Sequence, residues 1–432
     1  MKIVVLCGGR GTRLGLGDKP KPMVLVEGVP LLERLVGLAA RQGFKEFLFL
    51  AGHGSAIIEQ HFGCGERWGV SIEHVSEPSP LGSAGCFREV RDKLAAPFLV
   101  IYGDVLFDVD LTAFAAFGQA AGGMATLFVH PNDHPEDSDL VEVDETGQII
   151  AFHAKPHLPG SRHANLVNAA IYYMDPRALD YLPAHDPCDW GHDVLPRMSR
   201  EAAVFAYRSC EYVKDIGTPD RLARAIRHLR EGRVARLSGC NAKPVVFVDR
   251  DGVINEERGG VFKPDEVALI PGSAEAIRRL NDAGVPVICV TNQPFIAKGQ
   301  IDWPGLRAVG AEIDHQLAAA AGAFLDDVRI CPHHPESGWE GEVAALKIAC
   351  ACRKPAPGLL LEAARFHNID LGHSWMVGDR FVDVVAGHGA GARTILVETG
   401  AAGSDRGAHA VAPERIAGNL EHAVALIMDD FG

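Results

Sequence analysis

VFVDRDGVIN, residues Val246 to Asn255, is an apolar run that ends in two aspartates with one residue between them. Read as a strand end, it predicts that Asp249 and Asp251 leave the same face, roughly 6–7 Å apart, because strand side chains alternate. Two carboxylates at that spacing repel by about 2.5 kcal/mol at an effective dielectric near 20. Apolar runs of strand length alternate with helical patterns on both sides of this segment, which predicts an α/β fold. After it, Val285–Thr291, Val328–Cys331, Ser374–Val377 and Thr394–Val397 read as further strands. Before it, Lys2–Cys7, Glu46–Ala51, Val70–Val75, Phe98–Ile101 and Met124–Val129 do the same, and Leu31–Gln42 reads as a helix closed by Gly43. Leu140–Val143 and Gln148–His153 flank the turn DETG and predict a hairpin. EGRVARLSGCNAKP loses periodicity, so two domains are expected, residues 1–230 and 245–432, joined by a linker at 231–244. The stretch GAAGSDRGAHAVAP reads as a mobile loop before a last helix.

The composition is that of a globular protein, 47% hydrophobic and 23% charged over 432 residues. A net charge of −14 argues against nucleic acid or an anionic membrane as the main partner, and leaves phosphorylated small molecules open. No apolar run reaches membrane-spanning length, and MKIVVLCGGRGTRL turns polar too soon for a signal peptide. Ten cysteines, scattered apart from Cys331, Cys350 and Cys352, predict reduced thiols and a cytoplasmic protein. A homo-oligomer is compatible with the sequence.

Four signals in the second half fall at predicted strand ends: Asp249-Arg-Asp251-Gly, Thr291-Asn292-Gln293, Arg353-Lys354-Pro355, and Gly378-Asp379 followed by Asp383. In an open parallel sheet such ends converge on one crevice. The set is complete for phosphate-ester hydrolysis. One carboxylate attacks phosphorus and a second protonates the leaving alkoxide. A hydroxyl and a cation hold the equatorial oxygens, while Mg²⁺ on Asp249 and Asp379 offsets the acids' repulsion. Any one of these signals alone would read as a cap or a turn; the four in this order do not.

The order and wording resemble the haloacid dehalogenase (HAD) superfamily of phosphatases. The resemblance implies a HAD-like Rossmannoid domain with a parallel sheet, Asp249 as nucleophile, Asp251 as acid/base, and Thr291 and Lys354 as phosphoryl stabilisers. It also implies Asp379 as a magnesium ligand, with Asp251 adding a backbone carbonyl; Asp383 is an orienting group or plain helix surface. Cys331-x-His333 and Cys350-x-Cys352 bracket a loop and give a closed tetrahedral zinc set with no open position, hence a structural one; His334 competes with His333. CPHHP followed by CxCRKP is similar to the D-glycero-D-manno-heptose 1,7-bisphosphate phosphatases and their histidinol-phosphatase relatives, in which Arg353 would also hold substrate. Pro294-Phe295 stands where that family has a small residue and glycine, and Gly260 where it has a larger residue.

At the N-terminus, strand KIVVLC runs into GGRGTRL. Backbone N–H groups at Gly8, Gly9, Gly11 and Thr12 can wrap a phosphate chain, with charge from Arg13. The turn lacks the GK[ST] of a P-loop and the third glycine of a dinucleotide fingerprint. KPKPM with Lys21, EPSPLGSAG, YGDVLF with Asp104, AKP with Lys155, NAAIYYM with Asn168 and VKDIGTPD with Asp215 follow in order. Together they resemble the sugar-1-phosphate nucleotidyltransferases, and the short loop GLGDKPK resembles the heptose-1-phosphate guanylyltransferase subgroup. The resemblance implies a Rossmann-like domain with a mixed sheet, Arg13 and Lys21 on the triphosphate, and Mg²⁺ held by Asp104 and Asp215. It further implies that Leu81–Gly85, with Gly82 and Gly85, brackets the base and that Lys155 and Asn168 hold the sugar phosphate; in the phosphatase half, Asn292 is expected to bind substrate. Ala170 stands where a glycine is usual.

The whole chain therefore reads as one polypeptide with two activities: a 7-phosphatase acting on heptose 1,7-bisphosphate, and a nucleotidyltransferase, with GTP expected, acting on the resulting heptose 1-phosphate. The alternatives are the same chemistries on mannose 1-phosphate, another hexose or a histidinol-phosphate-like ester, or one half as a non-catalytic binding module.

Overall fold

The computed structural model describes the chain except residues 9–13, 16, 18, 78, 407–410 and 432, and the chain divides into two compact units. Met1–His130, Val141–Ala154 and Asn168–Gly239 form the first; Pro131–Leu140, Lys155–Val167 and Cys240–Gly432 form the second. Two short excursions of the N-terminal half thus group with the second unit. The stretch 231–244 is folded at both ends. Its start forms the helix Arg233–Arg236, which buries Val234, and its end buries Lys243, whose ammonium donates to the His367 carbonyl at 2.9 Å.

In the first unit, Lys2–Leu6 lies parallel between Glu46–Ala51 and Phe98–Tyr102, with Val4 opposite Leu48 and Val100. Ser71–Ser76 extends the sheet in parallel, while Val167–Met174 runs antiparallel to Phe98–Tyr102, so the nine-stranded sheet is mixed. These runs (KIVVL, EFLFLA, FLVIY) are β-branched and aromatic and almost wholly buried, as strands covered on both faces should be. The helix Leu31–Arg41 lays Leu31, Leu32, Leu35, Val36, Leu38 and Ala39 on the core and ends before Gly43, whose φ of 92° suits a residue without Cβ.

The second unit is a six-stranded parallel sheet in the order Asp327–Cys331, Val287–Asn292, Val246–Val248, Trp375–Gly378, Arg393–Val397, Arg415–Ala417. Val246 and Val248 pack into one core with the helices Ser273–Ala283, Trp303–Ala321 and Leu420–Phe431. Phe247 faces the opposite core, beneath the helices Gly358–His367 and Phe381–Ala390. In both units the first strand is flanked by parallel neighbours on either side, so the strand order reverses beside it. That switch point opens a crevice at the strands' C-terminal ends. Among the described residues, no helix is long and apolar enough to cross a membrane.

One expectation fails at the opening stretch. The strand stops at Val248, and the chain then turns tightly, with Ile254 N–H donating to the Arg250 carbonyl at 2.9 Å and Gly252 N–H to the Asn255 carbonyl at 2.7 Å. Strand alternation therefore does not govern Asp249 and Asp251.

Candidate active sites

In the second unit, Asp249 follows the central strand and Asp379 follows its neighbour across the switch point. Asp383 sits in the first turn of the helix Phe381–Ala390. Carboxylate oxygens of Asp249, Asp379 and Asp383 all lie within 4.8 Å of one another. Gly378 makes this possible, because a Cβ there would stand 2.2 Å from that of Asp383. Lys354 reaches into the cluster from the loop before the helix Gly358–His367. Its ammonium lies 2.9 Å from Asp249 and 2.6 Å from Asp383, and donates to the Val290 carbonyl at 2.7 Å. Burial works to lower its pKa, but the two aspartates outweigh it and hold the lysine charged.

The acids outnumber that one cation. Burial pushes the Asp249 carboxyl up against the pull of Lys354, and pushes Asp379 up to about 6 with Asp383 adding to the rise. Asp379 Oδ1 is buried with no hydrogen-bond partner. Clustered carboxylates raised in this way, one with an orphaned oxygen, fit a hard divalent cation, whose charge would reverse both shifts. Asp383, which the sequence left open, is thus brought into the cluster.

Asp251 points to a different set of partners. Arg250 pairs with its carboxylate at 2.8–3.2 Å, Asn255 donates to Oδ1 at 2.9 Å, and Gln293 donates to Oδ2 at 2.9 Å. The same Gln293 amide donates to Thr291 Oγ1 at 2.9 Å, which links the expected acid/base to the expected phosphoryl stabiliser. The Asp249–Asp251 repulsion that the spacing predicted is therefore met by Arg250 on one side and Lys354 on the other. Asn292 was expected on substrate. Its amide instead clamps the Lys354 backbone, giving to the carbonyl and taking from the N–H at 3.0 Å each.

Cys331, His333, Cys350 and Cys352 converge as expected. Their ligand atoms lie within 4.8 Å of one another, with thiol separations of 3.2–3.6 Å and His333 Nδ1 at 3.3 Å from Cys352 and 3.7 Å from Cys331. A regular tetrahedron with a 2.3 Å metal–sulfur bond has edges of about 3.8 Å, so the set is shaped for a tetrahedral metal. His334 faces away, its Nδ1 3.4 Å from the Glu336 carbonyl and its ring against Trp339. Arg353 donates to the His333 carbonyl at 3.3 Å, tying the segment that carries Lys354 to this centre.

In the first unit, Lys21 rises from a short turn between Pro20 and Met23. Its ammonium lies 2.6 Å from Asp104 and 3.5 Å from Asp215. These acids meet because Tyr212–Asp215 pairs antiparallel with Val105–Asp108, which sets Asp215 opposite Val105. Arg221 adds a 2.5 Å contact to Asp215. Burial works to raise the Asp215 carboxyl, yet Lys21 and Arg221 prevail and hold it below the usual carboxylate range.

Gly8, at the end of the first strand, lies near Gly52 and Glu77, and Glu77 accepts from Leu81 N–H at 3.3 Å. The loop bounded by Gly82 and Gly85 is held by Ala84 N–H on the Cys188 carbonyl at 3.0 Å and by a short hydrogen bond from Ser83 to Asp189. A Cβ on Gly82 would collide with the Cys188 carbonyl at 2.2 Å.

Gly9, Gly11, Thr12 and Arg13 lie outside the described residues. Lys155 groups with the second unit, where its ammonium donates to the Asp137 carbonyl at 2.8 Å. Asn168 donates to the Tyr172 hydroxyl at 3.1 Å and accepts from Ala170 N–H at 3.2 Å. The expected Lys155–Asn168 pair is thus found on separate partners. Arg221, Asn255, Gln293 and Asp189 were not anticipated; VKDIGTPD stops one residue before Arg221, and no spacing rule marks which side chain of TNQ turns back onto a carboxylate.

A nucleotidyl transferase family profile matches residues 2–232, and a HAD-hydrolase-like profile matches residues 351–423. The D-glycero-D-manno-heptose-1,7-bisphosphate 7-phosphatase of Thermosynechococcus vestitus is 40% identical over 192 residues, 43% of this chain and 95% of that protein. The corresponding D-glycero-beta-D-manno-heptose-1,7-bisphosphate enzyme of Yersinia pestis is 40% identical over 158 residues, 36% of this chain and 81% of that protein. A UTP–glucose-1-phosphate uridylyltransferase of a Synechocystis species is 25% identical over 364 residues, 76% of this chain and 94% of that protein. Two enzyme families thus meet in one polypeptide, which belongs to the nucleotidyl transferase family through its first half and to the heptose-bisphosphate phosphatases among the HAD-like hydrolases through its second.

Proposed function

We propose that the chain is a bifunctional enzyme of sugar-nucleotide synthesis in the cytoplasm. Its second unit removes the 7-phosphate of D-glycero-D-manno-heptose 1,7-bisphosphate, and its first joins the heptose 1-phosphate to GMP from GTP with release of pyrophosphate. The observation that carries this reading is that each unit gathers its own acid–lysine constellation at its own switch point: Asp249, Asp379 and Asp383 around Lys354, and Asp104 with Asp215 around Lys21. The assignment of GTP rests on resemblance in the loop 15–21.

In the phosphatase, an Asp249 oxygen attacks phosphorus and forms a phospho-aspartate as the C7 oxygen departs. Asp251, fixed by Arg250, Asn255 and Gln293, gives its proton to that oxygen and then takes one from the water that hydrolyses the acyl phosphate. Lys354 and Thr291 hold the equatorial oxygens, and Arg353 holds the sugar end. Asp249, Asp379 and the Asp251 carbonyl, with Asp383, would hold magnesium, which would supply charge neutralisation. Zinc on Cys331, His333, Cys350 and Cys352 is structural.

In the transferase, Lys21 and Arg13 grip the triphosphate, and the sugar phosphate oxygen attacks the α-phosphorus, expelling pyrophosphate. Asp104 and Asp215 would hold a second magnesium, which would supply charge neutralisation to the phosphates. Asn168, which lies in the first unit, is the residue we assign to the sugar phosphate.

The two activities should separate cleanly. Asp249→Asn should lower orthophosphate release at least 1,000-fold while leaving pyrophosphate release from GTP and heptose 1-phosphate within about twofold, and Asp104→Asn should do the reverse. Loss of both activities in either folded variant would overturn the two-site reading. A panel of nucleotides and hexose phosphates in the same assay decides base and sugar.

A further inference from the structure

The loop after the strand Arg393–Val397 reads from sequence as mobile, yet its described part, Thr399–Arg406, is bound at several points to the acid cluster. Thr399 Oγ1 donates to the Gly252 carbonyl at 2.6 Å. Ala401 N–H donates to Asp379 Oδ2 at 2.7 Å, and Gly403 N–H to the Asp379 carbonyl at 2.8 Å. The Asp405 carboxylate then takes the first two N–H groups of the helix Phe381–Ala390, from Phe381 at 2.8 Å and Val382 at 3.3 Å. Gly400, at φ 58°, packs so closely that a Cβ would stand 2.3 Å from Asp379 Oδ2 and 2.6 Å from Gly252 Cα. The segment is thus pinned at one end on the turn that carries Asp251 and at the other on the helix that carries Asp383.

We propose that Thr399–Arg406 is a strap that sets the orientation of the Asp379 carboxylate, and that Asp405, which anchors it, is a positioning residue for divalent-cation binding. The inference rests on reading the three-carboxylate cluster as a cation site. A carboxylate's terminal torsion is soft, so its rotation must be fixed by neighbours. Here one oxygen of Asp379 is held by the strap, while the other, buried and without a partner, is left for the ion. Asp405 acts through the strap and touches no reacting atom. It gains from the helix N-terminus the two otherwise unmet donors and a favourable dipole. The bland alternative is that Asp405 only caps that helix, which would affect stability and leave cation affinity alone.

The test is a titration of the full-length, zinc-replete protein with Mg²⁺ alone, followed by calorimetry in an Asp104→Asn background so that the other unit contributes no heat. Asp405→Ala should weaken Mg²⁺ binding roughly tenfold or more, the usual result of losing an outer partner of a metal ligand. Asp405→Asn keeps a side-chain oxygen that can accept and should restore most of the affinity. A folded Asp405→Ala protein that binds Mg²⁺ as tightly as its parent would overturn the proposal. Should that variant not fold, Thr399→Val cuts the opposite anchor and is held to the same two outcomes. No sugar phosphate enters the titration, so a wrong substrate assignment would leave its result intact.

Discussion

Ala170 holds a φ of 59°, a left-handed conformation that costs an L-residue roughly 1–2 kcal/mol. Asn168 enforces it from two positions away by accepting the Ala170 N–H. That conformation gives a physical reason for the glycine which the resemblance leads one to expect here. Ala170→Gly should therefore raise the stability of the first unit by about 1 kcal/mol, read as a higher denaturant midpoint at unchanged slope. Ala170→Val should lower it. A midpoint that falls on introducing glycine would mean that the strain is offset by a contact of the Ala170 methyl. Other single residues were less legible. Asp383 is four positions from Asp379 across a strand-to-helix turn, a spacing that no helical or strand periodicity covers, and its approach depends on Gly378 having no Cβ. Asp251 was placed by extending strand alternation to a residue three positions past Val248, where the strand ends. His333 and His334 are adjacent and chemically identical, so only the path of the backbone distinguishes them.

Among the elements, the buried parallel strands were plain in the sequence because each is a short, mostly apolar run, and the hairpin Leu140–Val143 with Ile149–His153 was plain from its turn. Short strands defined by distant partners were not. Val204–Arg208 pairs with Ala125–His130, and Tyr212–Asp215 with Val105–Asp108; those pairings exist only once the chain is folded, yet the second one assembles Asp104 with Asp215. The start of GAAGSDRGAHAVAP was read as mobile because its order comes from hydrogen bonds to Asp379 and from Asp405 to the helix Phe381–Ala390, which leave no mark on composition. The Cys/His loop lies between these cases: its ligands announce themselves, while residues 332–349 carry little regular structure beyond the short turn Ala344–Leu346. Metal binding worth roughly 10–16 kcal/mol in small peptides is ample to order such a loop. Since Cys352, Arg353 and Lys354 are consecutive, order at the metal is order at the phosphatase lysine. We predict one zinc per chain after exhaustive dialysis. Cys350→Ser should reduce zinc to well below half an equivalent and phosphatase activity at least tenfold, with nucleotidyl transfer retained. Zinc-free protein with the full phosphatase rate would show the thiols to be ordinary packing.

For the whole molecule, the open question is which reaction comes first, and charge decides it. A phosphate monoester carries nearly two negative charges at neutral pH. Among the described residues of the first unit's site, Lys21 is shared between Asp104 and Asp215, and Arg221 is paired with Asp215. A sugar bearing a second dianion at C7 therefore meets no identified surplus cation there. The second unit places Arg353 next to Lys354 in the chain, and Arg353 donates to the His333 carbonyl rather than to a carboxylate, which leaves its charge for a doubly phosphorylated sugar. Dephosphorylation at C7 should therefore precede nucleotidyl transfer. Incubation of the bisphosphate with GTP and Mg²⁺ should release orthophosphate before pyrophosphate. In the Asp249→Asn protein the bisphosphate should yield less than about a tenth of the normal nucleotide sugar, because an unmatched dianion costs more than 1.4 kcal/mol of binding. Supplied heptose 1-phosphate should react in that variant at the normal rate. If Asp249→Asn instead converts the bisphosphate readily to a 7-phosphorylated nucleotide sugar, the first site tolerates the second dianion and the order of steps is not set by charge.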